Sequence, residues 1–104
     1  MENVGALTEV SLFILLSLYE PRHGYAVMQF IEQQTDGRLR LGAGSLYGAL
    51  NNLADKGWIE PLGEADRRRR EYRITPIGKK VVQGEIRRLH QLTAFAEEIV
   101  GEQT

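Results

Sequence analysis

Cysteine is absent from the chain, so disulfides, thiolate nucleophiles and cysteine-based metal sites are excluded. Histidine is scarce. His23 and His90 are far apart, and neither shows a metal-ligand spacing with a second histidine or a carboxylate. No metal and no cofactor is expected. Long apolar runs are missing as well. The richest, Leu12 to Leu16 within Leu7 to Tyr19, falls far short of the roughly 20 residues a spanning helix needs. No basic n-region or small-residue cleavage site accompanies it, so a soluble cytoplasmic protein with no membrane partner is expected. There is no phosphate-binding glycine loop, no nucleophile–base pair and no acid pair with a plausible cleft, which argues against an enzyme. No internal repeat or low-complexity segment is present, and 104 residues make one domain.

Net charge is also small, at −1, but the total hides a division. Residues 1–66 carry four Lys/Arg against nine Asp/Glu, and residues 67–104 carry nine against five. The positive half opens on four consecutive arginines, Arg67, Arg68, Arg69 and Arg70. Adjacent like charges repel, so these four do not pack against one another in a core. A local basic patch governs association with nucleic acid more than the total does.

Apolar periodicity predicts a first helix over Leu7–Tyr19, apolar on nearly every side and ended by Pro21. A second helix runs from His23 or Gly24 to about Thr35, with Tyr25, Val27, Met28, Phe30 and Ile31 toward the core and Asp36-Gly37 as its stop. An extended linker leads to a third helix, about Gly44 to Lys56, closed by Gly57. Trp58–Leu62 and about Glu71–Thr75 read as a two-stranded hairpin whose tip carries the arginines. Pro61 suits only an edge strand, and Trp58 reads as a plug between the third helix and the hairpin. Thr75 caps a last helix that starts at Pro76 and reaches about Val100.

The third helix sets Leu46, Leu50 and Leu53 on one face and Ser45, Tyr47, Asn51 and Asn52 elsewhere. Asparagine is a weak helix former, so two adjacent ones in mid-helix need a reason. One reading is a solvated face; the other is hydrogen bonding to base edges, where asparagine pairs with adenine. Tyr47 also reads as a ring packed on the second helix, with only its hydroxyl left for a phosphate. Tyr25 reads equally as a core residue or as a phosphate donor beside the positive end of the second helix. Lys79 and Lys80 oppose the dipole of the last helix, which suggests either a use on DNA or simple solvation. Both the first helix and the stripe Val82, Ile86, Leu89, Leu92, Phe95 and Ile99 carry more apolar surface than one small domain covers.

Three groups of residues together resemble the PadR family of bacterial transcriptional regulators. They are His23-Gly24-Tyr25, the run Gly44-Ser45-Leu46-Tyr47 followed by Leu50, Leu53 and Gly57, and Arg68-Arg69-Arg70 with Tyr72-Arg73-Ile74-Thr75 and Gly78. The resemblance covers residues 7 to about 90. It implies a mainly α, α+β fold: a winged helix-turn-helix over residues 1–75 and a dimerisation helix over residues 76–104, in one compact unit. It implies a homodimer in which the last helix packs on the partner's first helix, with Leu12, Leu15, Leu16, Val82, Ile86, Leu89, Leu92, Phe95 and Ile99 at the interface. It further implies a repressor on double-stranded DNA, reading a pseudo-palindromic operator with half-sites about one turn, or 34–36 Å, apart. Tyr25, Ser45, Tyr47, Asn51, Asn52, Arg67, Arg68, Arg69, Arg70 and Lys79 are its expected DNA contacts. A small apolar effector at the dimer interface is part of the same expectation.

The sequence departs from the family's pattern in places. Gly42 stands where a capping serine or asparagine is usual, Asp66 where a wing glycine is common, and Glu71 where an aromatic is common. Glu71, beside the arginines, is expected to neutralise part of the wing. Leu89 occupies the place where some drug-sensing relatives carry a tryptophan, so a flat-drug sensor is not expected. The competing function is a winged-helix module that binds protein through its acidic first half.

Overall fold

The computed structural model describes residues 5–63 and 70–103. The order of elements is α1 (Glu9–Ser17), β1 (Arg22–His23), α2 (Gly24–Gln34), α3 (Ala43–Asp55), β2 (Ile59–Leu62), β3 (Glu71–Ile74) and α4 (Pro76–Gln103). Helix α1 is shorter than its apolar run because its ends are fixed chemically. Thr8 caps it, its hydroxyl oxygen accepting from the Ser11 N–H at 3.0 Å. At the other end Leu18 has left the helical region ahead of Pro21. Helix α3 ends in a glycine-dependent turn. Gly57 takes φ +77°, and the Gly57 and Trp58 amides donate to the Ala54 and Leu53 carbonyls.

The sheet has three strands in the order β1-β3-β2, not the two expected. Residues Arg22 and His23 pair antiparallel with Tyr72 and Glu71. A two-residue strand is too short to show alternation, which is why it is silent in the sequence. Strand β2 lies at an edge, and there Pro61 faces Tyr72 without breaking a central ladder. Strand β3 is also tied to the helical layer, since the Ile74 amide donates to the Leu18 carbonyl at 2.8 Å.

Between the helices and the sheet sits one core of Ile14, Leu15, Leu18, Val27, Ile31, Leu46, Leu50, Ile59, Tyr72, Ile74 and Val82, all nearly inaccessible. Tyr25 does not join it; it is 65% exposed, so its expected core role is corrected. The plug reading of Trp58 holds, its side chain being buried between α3 and the sheet.

Helix α4 begins at a junction that gathers three elements. The Thr75 hydroxyl donates to the Gly57 carbonyl at 2.6 Å and accepts from the Gly78 amide at 3.1 Å. The Thr75 amide donates to the Trp58 carbonyl at 2.9 Å. Gly78 is buried there, and a Cβ on it would overlap the Trp58 carbonyl and meet Ile74 Cγ1 at 2.7 Å. The helix then runs 28 residues, about 42 Å at 1.5 Å per residue. Only its first part packs on the domain; from Leu89 onward every described residue is exposed. The one buried carboxylate among the described residues, Glu85, is fully partnered. It accepts from Arg88 at 2.7 and 2.8 Å and from the Leu7 amide at 3.3 Å. The Arg88 guanidinium holds the Glu85 carboxyl below the usual carboxylate range, although burial alone would raise it.

Candidate nucleic-acid interface

Helix α3 divides cleanly into two faces. Leu46, Leu50 and Leu53 are buried, whereas Ser45, Asn51 and Asn52 are exposed and their side chains make no hydrogen bond among the described residues. A helix whose apolar face is fully used, and whose polar face is unused, offers that second face outward. Its N-cap, Gly42, contributes no side-chain hydrogen bond, so the first amides of α3 are uncapped by any side chain.

Tyr47 lies on the flank toward α2 and packs partly against the core. Its hydroxyl sits so close to Gly24 that a Cβ there would lie 2.9 Å away. The ring therefore leans on the start of α2, as one of its two sequence readings had it. Helix α2 is likewise without a side-chain cap, His23 contributing none. Tyr47, the exposed Tyr25 and these amides thus share one region of the surface.

The wing is described only in part. Arg67, Arg68 and Arg69 lie outside the described residues, as does Asp66. Arg70 is described; its Nε is buried with no hydrogen-bond partner, and no carboxylate among the described residues pairs with it. Among the described residues Glu71 pairs not with Arg70 but with His23, and the rest of the expected neutralisation, at Arg67, Arg68 and Arg69, lies outside the described residues. The Glu71 carboxylate lies 3.7 Å from His23 Nε2, across the β1–β3 pair. Lys79 is held over the Tyr19 ring, 5.6 Å from its centre, so it has an intramolecular role that helps offset its clash with the helix dipole. Lys56, which sequence reasoning passed over, is exposed at the end of α3 with its ammonium 4.7 Å from the Trp58 ring centre. In the sequence it marked only the end of the third helix.

Of the expected interface residues, Leu15 and Val82 are corrected. They are fully enclosed within one chain and have no surface left to offer a partner. Leu16, Ile86, Leu89, Leu92, Phe95 and Ile99 are all more than a third exposed, and Leu12 is half-buried. Leu7, Leu12, Phe13, Leu16 and Leu89 line a largely apolar groove of about 400 Å³ between α1 and α4, with Thr8, Glu9, Glu85 and Arg88 also in its lining. Among the described residues no helix is long and apolar enough to cross a membrane.

Three helices, a small antiparallel sheet and an outward polar face on the third helix define a winged helix-turn-helix. The family model of the PadR-like transcriptional regulators matches residues 12–84, and the chain belongs to that family. That family is one of transcriptional regulators. It is similar in fold to a transcriptional regulator from Clostridium thermocellum, with 28% identity and a TM-score of 0.75 over 88% of this chain and 89% of that one. It is also similar to RosR of H. salinarum, with 27% identity and a TM-score of 0.72 over 97% and 96%. A PadR family regulator from Eggerthella lenta, at 24% identity and a TM-score of 0.69 over 88% and 80%, shares the fold. An uncharacterized 37.1 kDa protein in transposon TN4556 of Streptomyces fradiae is 37% identical over 86 residues. That match takes in 82% of this chain but 24% of the transposon protein, so the chain spans about a quarter of that relative's length.

Proposed function

We propose that the protein is a homodimeric, sequence-specific DNA-binding regulator that represses transcription from a pseudo-palindromic operator. The observation that carries this reading is the unpartnered polar face of α3, with Ser45, Asn51 and Asn52 exposed behind a fully buried leucine face. In the proposal this face enters a major groove and Asn51 hydrogen-bonds a base edge. Tyr25, Tyr47 and the uncapped start of α2 meet backbone phosphate. Arg67, Arg68, Arg69 and Arg70 hold phosphate or an adjacent minor groove.

Dimerisation is supported by the outer half of α4. Leu89, Leu92, Ala96 and Ile99 continue, at spacings of three and four, the side of the helix that buries Val82 and Glu85. Among the described residues nothing covers the stripe, and in the proposal it packs on the first helix of a second copy. Two copies related by a two-fold axis present their α3 helices to successive major grooves. The apolar groove between α1 and α4 would then lie beside the partner. We place the effector there, as a small apolar molecule that changes the spacing of the two α3 helices and so relieves repression.

The test is fluorescence anisotropy on tiled duplexes from the protein's own upstream region, followed by random-sequence selection. Saturable, salt-sensitive binding to one inverted repeat with two chains per site is the expected result. Absence of binding to any tile and to every selected pool would overturn the DNA reading. A reporter driven from the selected site then distinguishes repression from activation.

A further inference from the structure

Most of the described arginines are already spoken for. Arg22, Arg38, Arg40, Arg73 and Arg88 each have a carboxylate oxygen within 3.9, 2.7, 3.4, 3.0 and 2.7 Å. A cation neutralised inside the chain has little left for an external anion. Lys56 is different. It pairs with no carboxylate among the described residues, and the Trp58 ring beneath it holds it in place without neutralising it.

Lys56 stands one helical turn after Asn52, on the flank of α3 that faces the start of α1. The two line a groove of about 270 Å³ together with Thr8, Ser11, Ala49 and Trp58. The hydrogen bonding inside it leaves donors over. Thr8 is occupied, since its hydroxyl donates to Ser11 Oγ at 2.9 Å and accepts from the Ser11 amide. Among the described residues the Ser11 hydroxyl hydrogen has no acceptor and the Asn52 side-chain amide has no partner. Among the described residues no aspartate or glutamate lines the groove. The groove along α2, by contrast, contains Glu32 and Asp36, and the α1–α4 groove contains Glu9 and Glu85.

One cation, two free donors and no competing acid call for an anion with several acceptor oxygens. We propose that this groove seats a backbone phosphate of the DNA strand that flanks the bases read by α3. Lys56 supplies the charge, and Asn52 and Ser11 supply hydrogen bonds. The assignment rests on the DNA-binding reading above. It also divides the two asparagines: Asn51 reads sequence, whereas Asn52 holds the backbone and carries no sequence information.

The test uses full-length protein and a duplex recovered by random-sequence selection with the parent. Affinity is measured against salt for the parent, Lys56→Gln, Lys56→Arg, Ser11→Ala and Asn52→Ala, with a thermal melt of each as a folding control. Lys56→Gln should reduce the slope of log K on log salt by about 0.9 for each Lys56 in the bound species, equally on selected and random duplexes. Lys56→Arg should keep the slope. Ser11→Ala and Asn52→Ala should lose several-fold in affinity with the slope and the selected-to-random ratio unchanged. If the parent binds but Lys56→Gln leaves its slope intact, the groove assignment is overturned and the DNA reading stands. If Asn52→Ala instead lowers the selected-to-random ratio, Asn52 reads bases and the division is wrong. A parent that selects no duplex overturns both readings together.

Discussion

Two glycines of α4, six residues apart, should respond in opposite directions to the same substitution. Alanine is the better helix former by about 1 kcal/mol, so propensity alone predicts stabilisation at both. At Gly84 the space permits it: a new Cβ would come no closer than 3.8 Å to the Arg87 guanidinium. At Gly78 the Cβ would fall on the Trp58 carbonyl and crowd Ile74 Cγ1 at 2.7 Å. That carbonyl cannot swing aside freely, because it accepts the Thr75 amide at 2.9 Å and anchors the start of the helix. Overpacking costs about 1–3 kcal/mol, and the rigid neighbour puts Gly78 at the upper end. Weakening the Thr75 bond adds about 1 kcal/mol. After the propensity gain, Gly78→Ala should destabilise by about 2–3 kcal/mol, a fall in Tm of roughly 10–20 °C for a domain of this size. Gly84→Ala should instead raise Tm by a few degrees, from a gain of about 0.5–1 kcal/mol. Circular-dichroism melts at one fixed protein concentration decide it, since dimerisation makes Tm depend on concentration. A Gly78→Ala protein that melts at or above the parent would refute the close-packed junction.

Leu92→Asp combined with Phe95→Asp places two charges on the exposed stripe of α4 and should yield monomers by sedimentation velocity with the far-ultraviolet spectrum kept; a persisting dimer would exclude this stripe as the interface. Asn51→Ala should relax discrimination between selected and random duplex by about 1–3 kcal/mol, whereas Arg68→Ala with Arg69→Ala should weaken binding to both and flatten the salt dependence. Glu85 supplies a pH dependence. Its folded pKa lies below its unfolded one, chiefly through the Arg88 hydrogen bonds, so its stabilisation is present above the usual carboxylate range and is lost as pH falls through the folded value. Glu85→Gln should therefore be less stable than the parent at neutral pH and lose less Tm between about pH 5 and pH 3; identical acid profiles would show that the pair contributes nothing.

The long elements were legible because each announces its own period and its own stops. Leu46, Leu50 and Leu53 gave the buried face of α3, and Gly57 its end. Thr75 and Pro76 gave the start of α4. What escaped was non-local. Strand β1 exists because Arg22 and His23 are carried to the free side of β3, and two residues have no pattern to show. Leu15 and Val82 look like every other member of their apolar stripes. Only packing decides that they are enclosed while Leu16 and Ile86 are left outside. Tyr25 went the other way, since an aromatic in the first turn of a helix is equally at home in or out of a core. Lys56 was invisible as a site because its distinction lies in what does not face it.

The Thr75 junction has a mechanical consequence. One side chain clasps the Gly57 carbonyl, just past the end of α3, and the first amide turn of α4, with Gly78 seated against the backbone of Trp58 between them. The two helices thereby meet at a hydrogen-bonded, close-packed junction. A tilt of α4 by a degree or two, applied at its far end some 40 Å away, would be delivered to the tip of α3 as rotation and not be absorbed in a soft linker. Thr75→Val should loosen that junction, and a molecule wedged beneath the outer half of α4 would then turn a crank that no longer drives the shaft.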